Sequence, residues 1–279
     1  MHPIFYEIRD ALNGYYSDSE ALALAKMLLV EVFGFSTLEL YGGKDKEFSE
    51  KHRSVLTEMI RRLQKNEPIQ YIIGTEQFCG LAFEVDSNVL IPRPETQELV
   101  SWIVEDCRSD NAIRILDIGT GSGCIPVSLA KQLPKAEVES WDISEGALEV
   151  ASRNCERNEV KVFLRQKDVL NATPEGVFYD VIVSNPPYIT DREKVDMEAN
   201  VLDWEPSLAL FVPDEDPLLF YRKIARLGCG ILKEGGTLYF EINRAYGQDA
   251  ILMLSELGYS QIELKKDSWG NDRMIKAKR

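Results

Sequence analysis

The chain has 279 residues, 44% hydrophobic and 28% charged, an ordinary globular composition with enough apolar side chains for a sizeable core. Lys and Arg number 32 against 46 Asp and Glu, a formal net charge of −14; a nucleic-acid binder usually carries a basic surface, so the balance leans toward a protein partner and no direct nucleic acid contact. No apolar run approaches the ~20 residues that span a bilayer, and the five cysteines (Cys79, Cys107, Cys124, Cys155, Cys229) form no C-x-x-C pair, which predicts a cytoplasmic protein with reduced thiols, no metal and no membrane contact.

The opening residues Met1-His2-Pro3-Ile4-Phe5-Tyr6-Glu7 lack the basic-then-apolar layout of a signal peptide. From Ser19 to Phe33 the chain is rich in helix formers, with Leu24, Met27, Leu28 and Val32 near helical spacing. Ser17, Asp18 and Ser19 are available as caps. Tyr41-Gly42-Gly43 marks a turn. Phe48 to Gln64 predicts another helix, its Val55, Leu56, Met59, Ile60 and Leu63 recurring at three and four, ending near Asn66 and Pro68. No strand-like alternation precedes Ile69, so residues 1–75 are expected to form a small helical domain.

Residues 76–91 mix Phe78, Leu81, Phe83, Val85, Val89 and Ile91 with Gly80, Asp86, Ser87 and Asn88, which suggests a hairpin-like connector. Pro92-Arg93-Pro94-Glu95-Thr96 stiffens the chain before a helix from Thr96 to Cys107. From Ile113 short apolar runs alternate with helical patterns. Strands are predicted at 113–118, 137–142, 160–166, 177–184, 237–242, 260–266 and 272–277, and helices at 123–132, 145–158, 217–232 and 247–257. Residues 92–279 are thus expected to form an α/β domain with a doubly wound, seven-stranded, Rossmann-like sheet. The short loop at Gly270-Asn271 requires the last two strands to pair antiparallel.

Two stretches carry the chemistry. Ile113 to Ile118 predicts a strand, followed by Gly119-Thr120-Gly121-Ser122-Gly123 and a helix. Glycines let a backbone pass close to a ligand and turn sharply. No Gly-Lys-Ser/Thr follows, which counts against a P-loop. Asp142 ends the second strand, where a carboxylate accepts both hydroxyls of a ribose, whether the cofactor is S-adenosylmethionine or a nicotinamide dinucleotide. After the third strand, Asp168 is open to two readings, a capping carboxylate or a contact to an adenine amino group, with Val169 beside the base.

The fourth strand ends in Ser184-Asn185-Pro186-Pro187-Tyr188, at the edge of a doubly wound sheet that faces ligands. Pro-Pro donates no ladder hydrogen bonds but gives a rigid, extended backbone with free carbonyls. An amide or aromatic amino nitrogen is a weak nucleophile because its lone pair is delocalised. If the Asn185 side-chain oxygen and the Pro186 carbonyl each accept one N–H, that lone pair is aimed at a sulfonium methyl, with Tyr188 as an aromatic wall. This makes Asn185, Pro186 and Tyr188 the candidate catalytic residues, and Asn185 to Tyr188 the candidate substrate site.

The sequence resembles the HemK/PrmC family, protein N5-glutamine methyltransferases that modify bacterial peptide chain release factors. The likeness runs nearly full length, through Leu90-Ile91-Pro92-Arg93-Pro94-Glu95-Thr96, Asp117 to Gly123, Ser184 to Ile189, Glu205-Pro206 with Ala209-Leu210, Glu241-Ile242, and Asp267 with Gly270, Asp272 and Arg273. It implies a class I methyltransferase fold and S-adenosyl-L-methionine, leaving as S-adenosyl-L-homocysteine, held by Gly119 to Gly123, Asp142, Val169 and Asn185. It implies the glutamine of a release factor Gly-Gly-Gln motif as acceptor, and residues 1–75 as a domain that helps recognise the release factor. One departure is Asn243, where glycine is expected after Glu-Ile, which puts the local loop shape in question. Arg93 and Glu95 are open to two readings, a structural ion pair or a substrate-side role.

Other readings share parts of this pattern. An adenine-N6 methyltransferase uses the same tetrapeptide, but the acidic charge opposes it. A glutamine methyltransferase acting on a ribosomal protein would share the chemistry. A non-catalytic binding module is opposed by the intact tetrapeptide, and a dehydrogenase explains only the glycine turn and Asp142.

Overall fold

The computed structural model describes residues 1–42, 48–108, 111–174 and 176–279; Gly43 of the expected turn lies outside them. The chain divides into two compact units, Met1–Thr75 with Glu198–Trp204, and Glu76–Met197 with Glu205–Arg279. Among the described residues no helix is long and apolar enough to cross a membrane.

The first unit is helical. α1 spans Pro3–Leu12, an addition to the expected elements, with Ile4, Ile8 and Leu12 recurring every fourth residue and buried. α2 spans Asp18–Met27, and Ser17 Oγ accepts the Glu20 N–H, satisfying an orphan donor of the first turn. The helix expected through Phe33 changes to a widened π turn at Leu28–Val32, where β-branched Val30 and Val32 weaken ordinary helix. α3 (Thr37–Gly42), α4 (Glu50–Leu63, capped by Ser49) and α5 (Ile69–Ile73) complete the run. Tyr16 ties the turn after α1 to the end of α4, its hydroxyl donating to the Leu63 carbonyl at 2.6 Å.

The second unit opens with a two-stranded sheet, β1 (Thr75–Phe78) and β2 (Leu81–Glu84). α6 runs Pro94–Asp106, two residues ahead of expectation because proline suits the first helical position. Then follow β3 (Arg114–Ile118), α7 (Cys124–Gln132), β4 (Glu137–Asp142), α8 (Glu145–Arg157), β5 (Phe163–Gln166) and β6 (Tyr179–Ser184). After the two-residue β7 (Ile189–Thr190), residues 198–204 return to the first unit with α9 (Ala199–Leu202), where Trp204 Nε1 donates to the Lys65 carbonyl at 3.1 Å. Sequence periodicity carried no sign of that excursion. α10 (Ser207–Leu210) and β8 (Phe211–Val212, paired with β7) lead to α11 (Leu219–Ile231), β9 (Leu232–Glu241), α12 (Gly247–Glu256), β10 (Ser260–Lys266) and β11 (Asp272–Lys278).

The main sheet has the order β10-β11-β9-β6-β3-β4-β5. β3, β4, β5, β6 and β9 run parallel, while β11 is antiparallel to both neighbours. Helices cover both faces, so the central strands are near-continuous apolar runs: Leu116, Ile182, Leu238 and Phe240 pack toward one core, Ile115, Val181, Val183 and Tyr239 toward the other. β9 begins at Leu232, five residues before the expected 237, because Leu232 pairs with Tyr179 ahead of a register shift. β5 is shorter than expected, as suits an edge strand.

Register positions the site. Ile118 pairs with Trp141 and with Ser184, and Ser184 pairs with Phe240. The next residues along these strands are Gly119, Asp142, Asn185 and Glu241. They therefore stand side by side at the carboxyl edge of the sheet, a strand spacing of ~4.8 Å apart.

Candidate active site

A cavity opens along this edge, lined by the Gly119–Ser122 turn, Asp142, Asp168, Val169 and Asn185–Pro187, among others. The glycine turn is shaped by backbone: Gly119, Gly121 and Gly123 have φ of 84°, 52° and 81°, the left-handed region that favours glycine. The N–H groups of Gly119 and Thr120 both donate to the Trp141 carbonyl, at 2.8 and 3.1 Å. Gly123 stands off the cavity lining. It is the N-cap of α7 and abuts α8, where an added Cβ would lie 3.2 Å from Ala151 Cβ, so close helix packing requires a glycine there.

Asp142 completes the turn. Its Oδ2 accepts the Gly121 N–H and its Oδ1 the Ser144 N–H, each at 2.9 Å. Burial raises its carboxyl above the ordinary range, and the Gly121, Ser144 and Ile143 N–H groups oppose that shift. Beneath the turn lies Asp117, fully buried, accepting from Ser140 Oγ at 2.5 Å, while Ser140 Oγ also bonds Thr120 Oγ1. Burial pushes Asp117 up to about 7, and its Oδ1 has no partner. Asp168 accepts from Leu170 N–H (2.9 Å) and Asn171 Nδ2 (2.6 Å), as a capping carboxylate does, and it lines the cavity.

The tetrapeptide follows β6 directly. Ser184 Oγ donates to the Ile118 carbonyl at 2.6 Å, locking β6 to β3 at the point where the chain leaves the sheet. Asn185, Pro186 and Pro187 line the cavity. Tyr188 packs against the buried cluster that holds Tyr221 and Phe240, and its hydroxyl donates to Glu241 Oε1 at 3.1 Å, so the ring expected as an aromatic wall is also tied to the end of β9. The other Glu241 oxygen accepts from Thr96 Oγ1 at 2.6 Å, and Thr96 Oγ1 in turn receives Asn185 Nδ2 at 3.3 Å. Burial raises the Glu241 carboxyl; Thr96, Arg273 and Tyr188 oppose that shift.

Neighbouring loops are held by similar means. Arg93 pairs with Glu205 and not with Glu95, which stays in the first turn of α6. Glu205 also accepts the Ile91 N–H at 3.2 Å, fixing Pro206 on the cavity rim. Asn243 settles the question of its loop. Its φ is −65°, open to any residue, and its amide bonds the Tyr188 carbonyl (3.1 Å), Glu193 Oε1 (2.9 Å) and the Ala245 N–H (2.9 Å). No glycine is needed there.

Two family models match the chain, the PrmC N-terminal domain over residues 5–74 and the Methyltransferase small domain over residues 96–203. The chain is 52% identical over 280 residues to a release factor glutamine methyltransferase of Bacteroides thetaiotaomicron, covering 100% of each. It belongs to the release factor glutamine methyltransferase family. A second family member, from Flavobacterium psychrophilum, is 49% identical over 221 residues, 78% of each chain. Among solved structures, a methyltransferase from Pyrococcus furiosus shares the fold with a TM-score of 0.53 and 20% identity, over 80% of this chain and 98% of that one.

Thr96, Asp117, Glu205 and Glu241 stand in the motifs that carry the family resemblance and Asn243 is its departure, but motif reading assigned none of the five a role in the site. Glu241 carried a usable signal. It is a carboxylate ending the apolar run Leu238-Tyr239-Phe240, and strand ends of a doubly wound sheet face the ligand crevice.

Proposed function

We propose that this chain transfers the methyl group of S-adenosyl-L-methionine to the side-chain amide nitrogen, N5, of the glutamine in the Gly-Gly-Gln motif of a peptide chain release factor. The observation that carries this reading is the placement of Asn185 and Pro186 on the same cavity as the glycine turn and Asp142. The kinship with release factor glutamine methyltransferases supports the choice of acceptor.

The cavity fits the methyl donor. Asp142 spends two acceptor positions on Gly121 and Ser144, leaving lone pairs for two ribose hydroxyls. The Gly119–Ser122 backbone lies close along the ligand, with Asp168 and Val169 toward the adenine. When bound, S-adenosylmethionine supplies an electrophilic methyl whose S–C bond breaks as the N–C bond forms, the electron pair staying on sulfur.

The protein's own residues orient the acceptor. The Asn185 side-chain oxygen and the Pro186 carbonyl each accept one N–H of the glutamine amide, which turns the nitrogen lone pair toward the methyl. Pro187 keeps the backbone extended, and Tyr188 ties the segment to Glu241. Catalysis then comes from orientation and fixed dipoles. After transfer the nitrogen loses one proton and remains a neutral amide. The helical unit Met1–Thr75 serves recognition of the release factor, the reaction belongs to the cytoplasm, and nucleic acid makes no direct contact.

The test is mass spectrometry of a purified release factor after incubation with this chain and S-adenosylmethionine. A single 14-Da gain on the Gly-Gly-Gln peptide is expected. Label persisting on a Gly-Gly-Ala variant, or appearing on nucleic acid in place of protein, overturns the reading.

A further inference from the structure

The Asn185 carboxamide has two ends of similar shape and opposite hydrogen-bonding sense. Only the oxygen end can receive an acceptor amide's N–H; the NH₂ end would set donor against donor. Something must choose between them, because a bare asparagine turns about its last torsion at little cost.

Thr96 accepts from the NH₂ end, and Glu241 in turn accepts from Thr96. Thr96, in the first turn of α6, is 3% exposed, and Glu241, the last residue of β9, is 1% exposed. With Glu241 ionised its carboxylate only accepts, so Tyr188 and Thr96 are the donors to its two oxygens, at 3.1 and 2.6 Å. A threonine hydroxyl has one hydrogen. Spent on Glu241, it leaves Thr96 Oγ1 with lone pairs alone toward Asn185, and only an N–H can satisfy those. In that state the proton count dictates the amide's orientation.

We propose that Thr96 and Glu241 are positioning residues that hold the Asn185 amide with its NH₂ on Thr96 and its oxygen available to the acceptor glutamine. The inference rests on the glutamine methyltransferase reading and deepens it. Thr96 also lines the cavity; in this role both residues act through Asn185. The flipped amide would oppose two oxygens in a buried site, and leaving such groups unpaired disfavours it by roughly tenfold to a hundredfold.

The experiment uses the full chain, S-adenosylmethionine and a purified release factor, with Thr96→Val, which keeps the shape and removes the hydroxyl, and Thr96→Ser, which restores it. Thr96→Val is expected to lower kcat by roughly tenfold to a hundredfold, with S-adenosylmethionine affinity by calorimetry unchanged. Thr96→Ser should return to within about threefold of the parent. In an Asn185→Ala background, under single-turnover conditions, Thr96→Val should change the rate by less than about threefold, since its only route of action is gone. Glu241→Gln provides a second variant: it puts an NH₂ where one of the two oxygens stands, so one of the donors Thr96 and Tyr188 meets a donor, and it too should lower kcat. Parent-like kcat in both Thr96→Val and Glu241→Gln overturns the proposal, as does an equal loss with and without Asn185, or failure of serine to rescue. A parent chain that leaves the release factor glutamine unmethylated overturns the functional reading, and this inference with it.

Discussion

The Asp142 carboxylate accepts the backbone N–H of Gly121 at 2.9 Å, so the acid that ends β4 and the glycine turn that follows β3 form one piece of structure. Removing the carboxylate deletes the ribose acceptor and unpins the turn together. Hydrogen bonds to charged groups are worth about 1.5–3 kcal/mol each. Asp142→Ala should therefore weaken S-adenosylmethionine binding by roughly tenfold to a hundredfold or more, read by calorimetry. Asp142→Asn, which keeps one acceptor oxygen, should fall between. Unchanged affinity in Asp142→Ala would remove Asp142 from the cofactor site.

Asn185 separates binding from turnover. Asn185→Ala leaves the glycine turn and Asp142 in place, so S-adenosylmethionine should bind within a few-fold of the parent. The rate should fall by about 10²–10³, the scale observed for deleting one oriented hydrogen-bonding group. Single-turnover transfer of labelled methyl to a release factor reads the second quantity. A parent-like rate would take Asn185 out of the mechanism.

Asp117 predicts a pH dependence with a defined sign. Burial raises its carboxyl to about 7 in the folded chain, against about 3.9 unfolded. Across the interval between those values the folded state holds the extra proton, so stability falls as pH rises, and it levels off once both states are ionised. Asp117→Asn has no such proton. The stability of the parent relative to Asp117→Asn should decrease from pH 5.5 to about 8, by at most about 1.4 kcal/mol per pH unit, measured by urea denaturation. A difference that rises with pH, or stays level throughout, would contradict an Asp117 held protonated by burial.

The Arg93–Glu205 pair joins residues 112 apart in sequence and holds the cavity rim. Glu205 is almost wholly buried and Arg93 is one-third exposed. Removing the arginine strands a buried carboxylate, which costs about 3–5 kcal/mol in a fully buried pair and less where one partner meets solvent. Arg93→Met should lower the melting temperature by several degrees, at ~2–4 °C per kcal/mol for a chain portion of this size. It should also raise protease sensitivity near Pro206. If melting were unchanged while methyl transfer to the release factor fell, Arg93 would have a substrate-side role in place of a structural one.

The fold class, the antiparallel final pair, the glycine turn, Asp142 at a strand end and the Asn-Pro-Pro-Tyr tetrapeptide were all readable from the chain itself. Each is a local pattern: periodicities of two and 3.6, breakers, and residues that follow a strand within a few positions. The three-dimensional arrangement alone decided that Gly123 packs on Ala151, that the Tyr188 hydroxyl bonds Glu241, and that residues 198–204 join the helical unit. It also brought together Thr96, Asn185 and Glu241, separated by 89 and 56 positions. Local periodicity records how a segment bends and which face it buries. Strand order and register determine which distant side chains become neighbours, and hydrogen bonds between them carry no pattern along the chain.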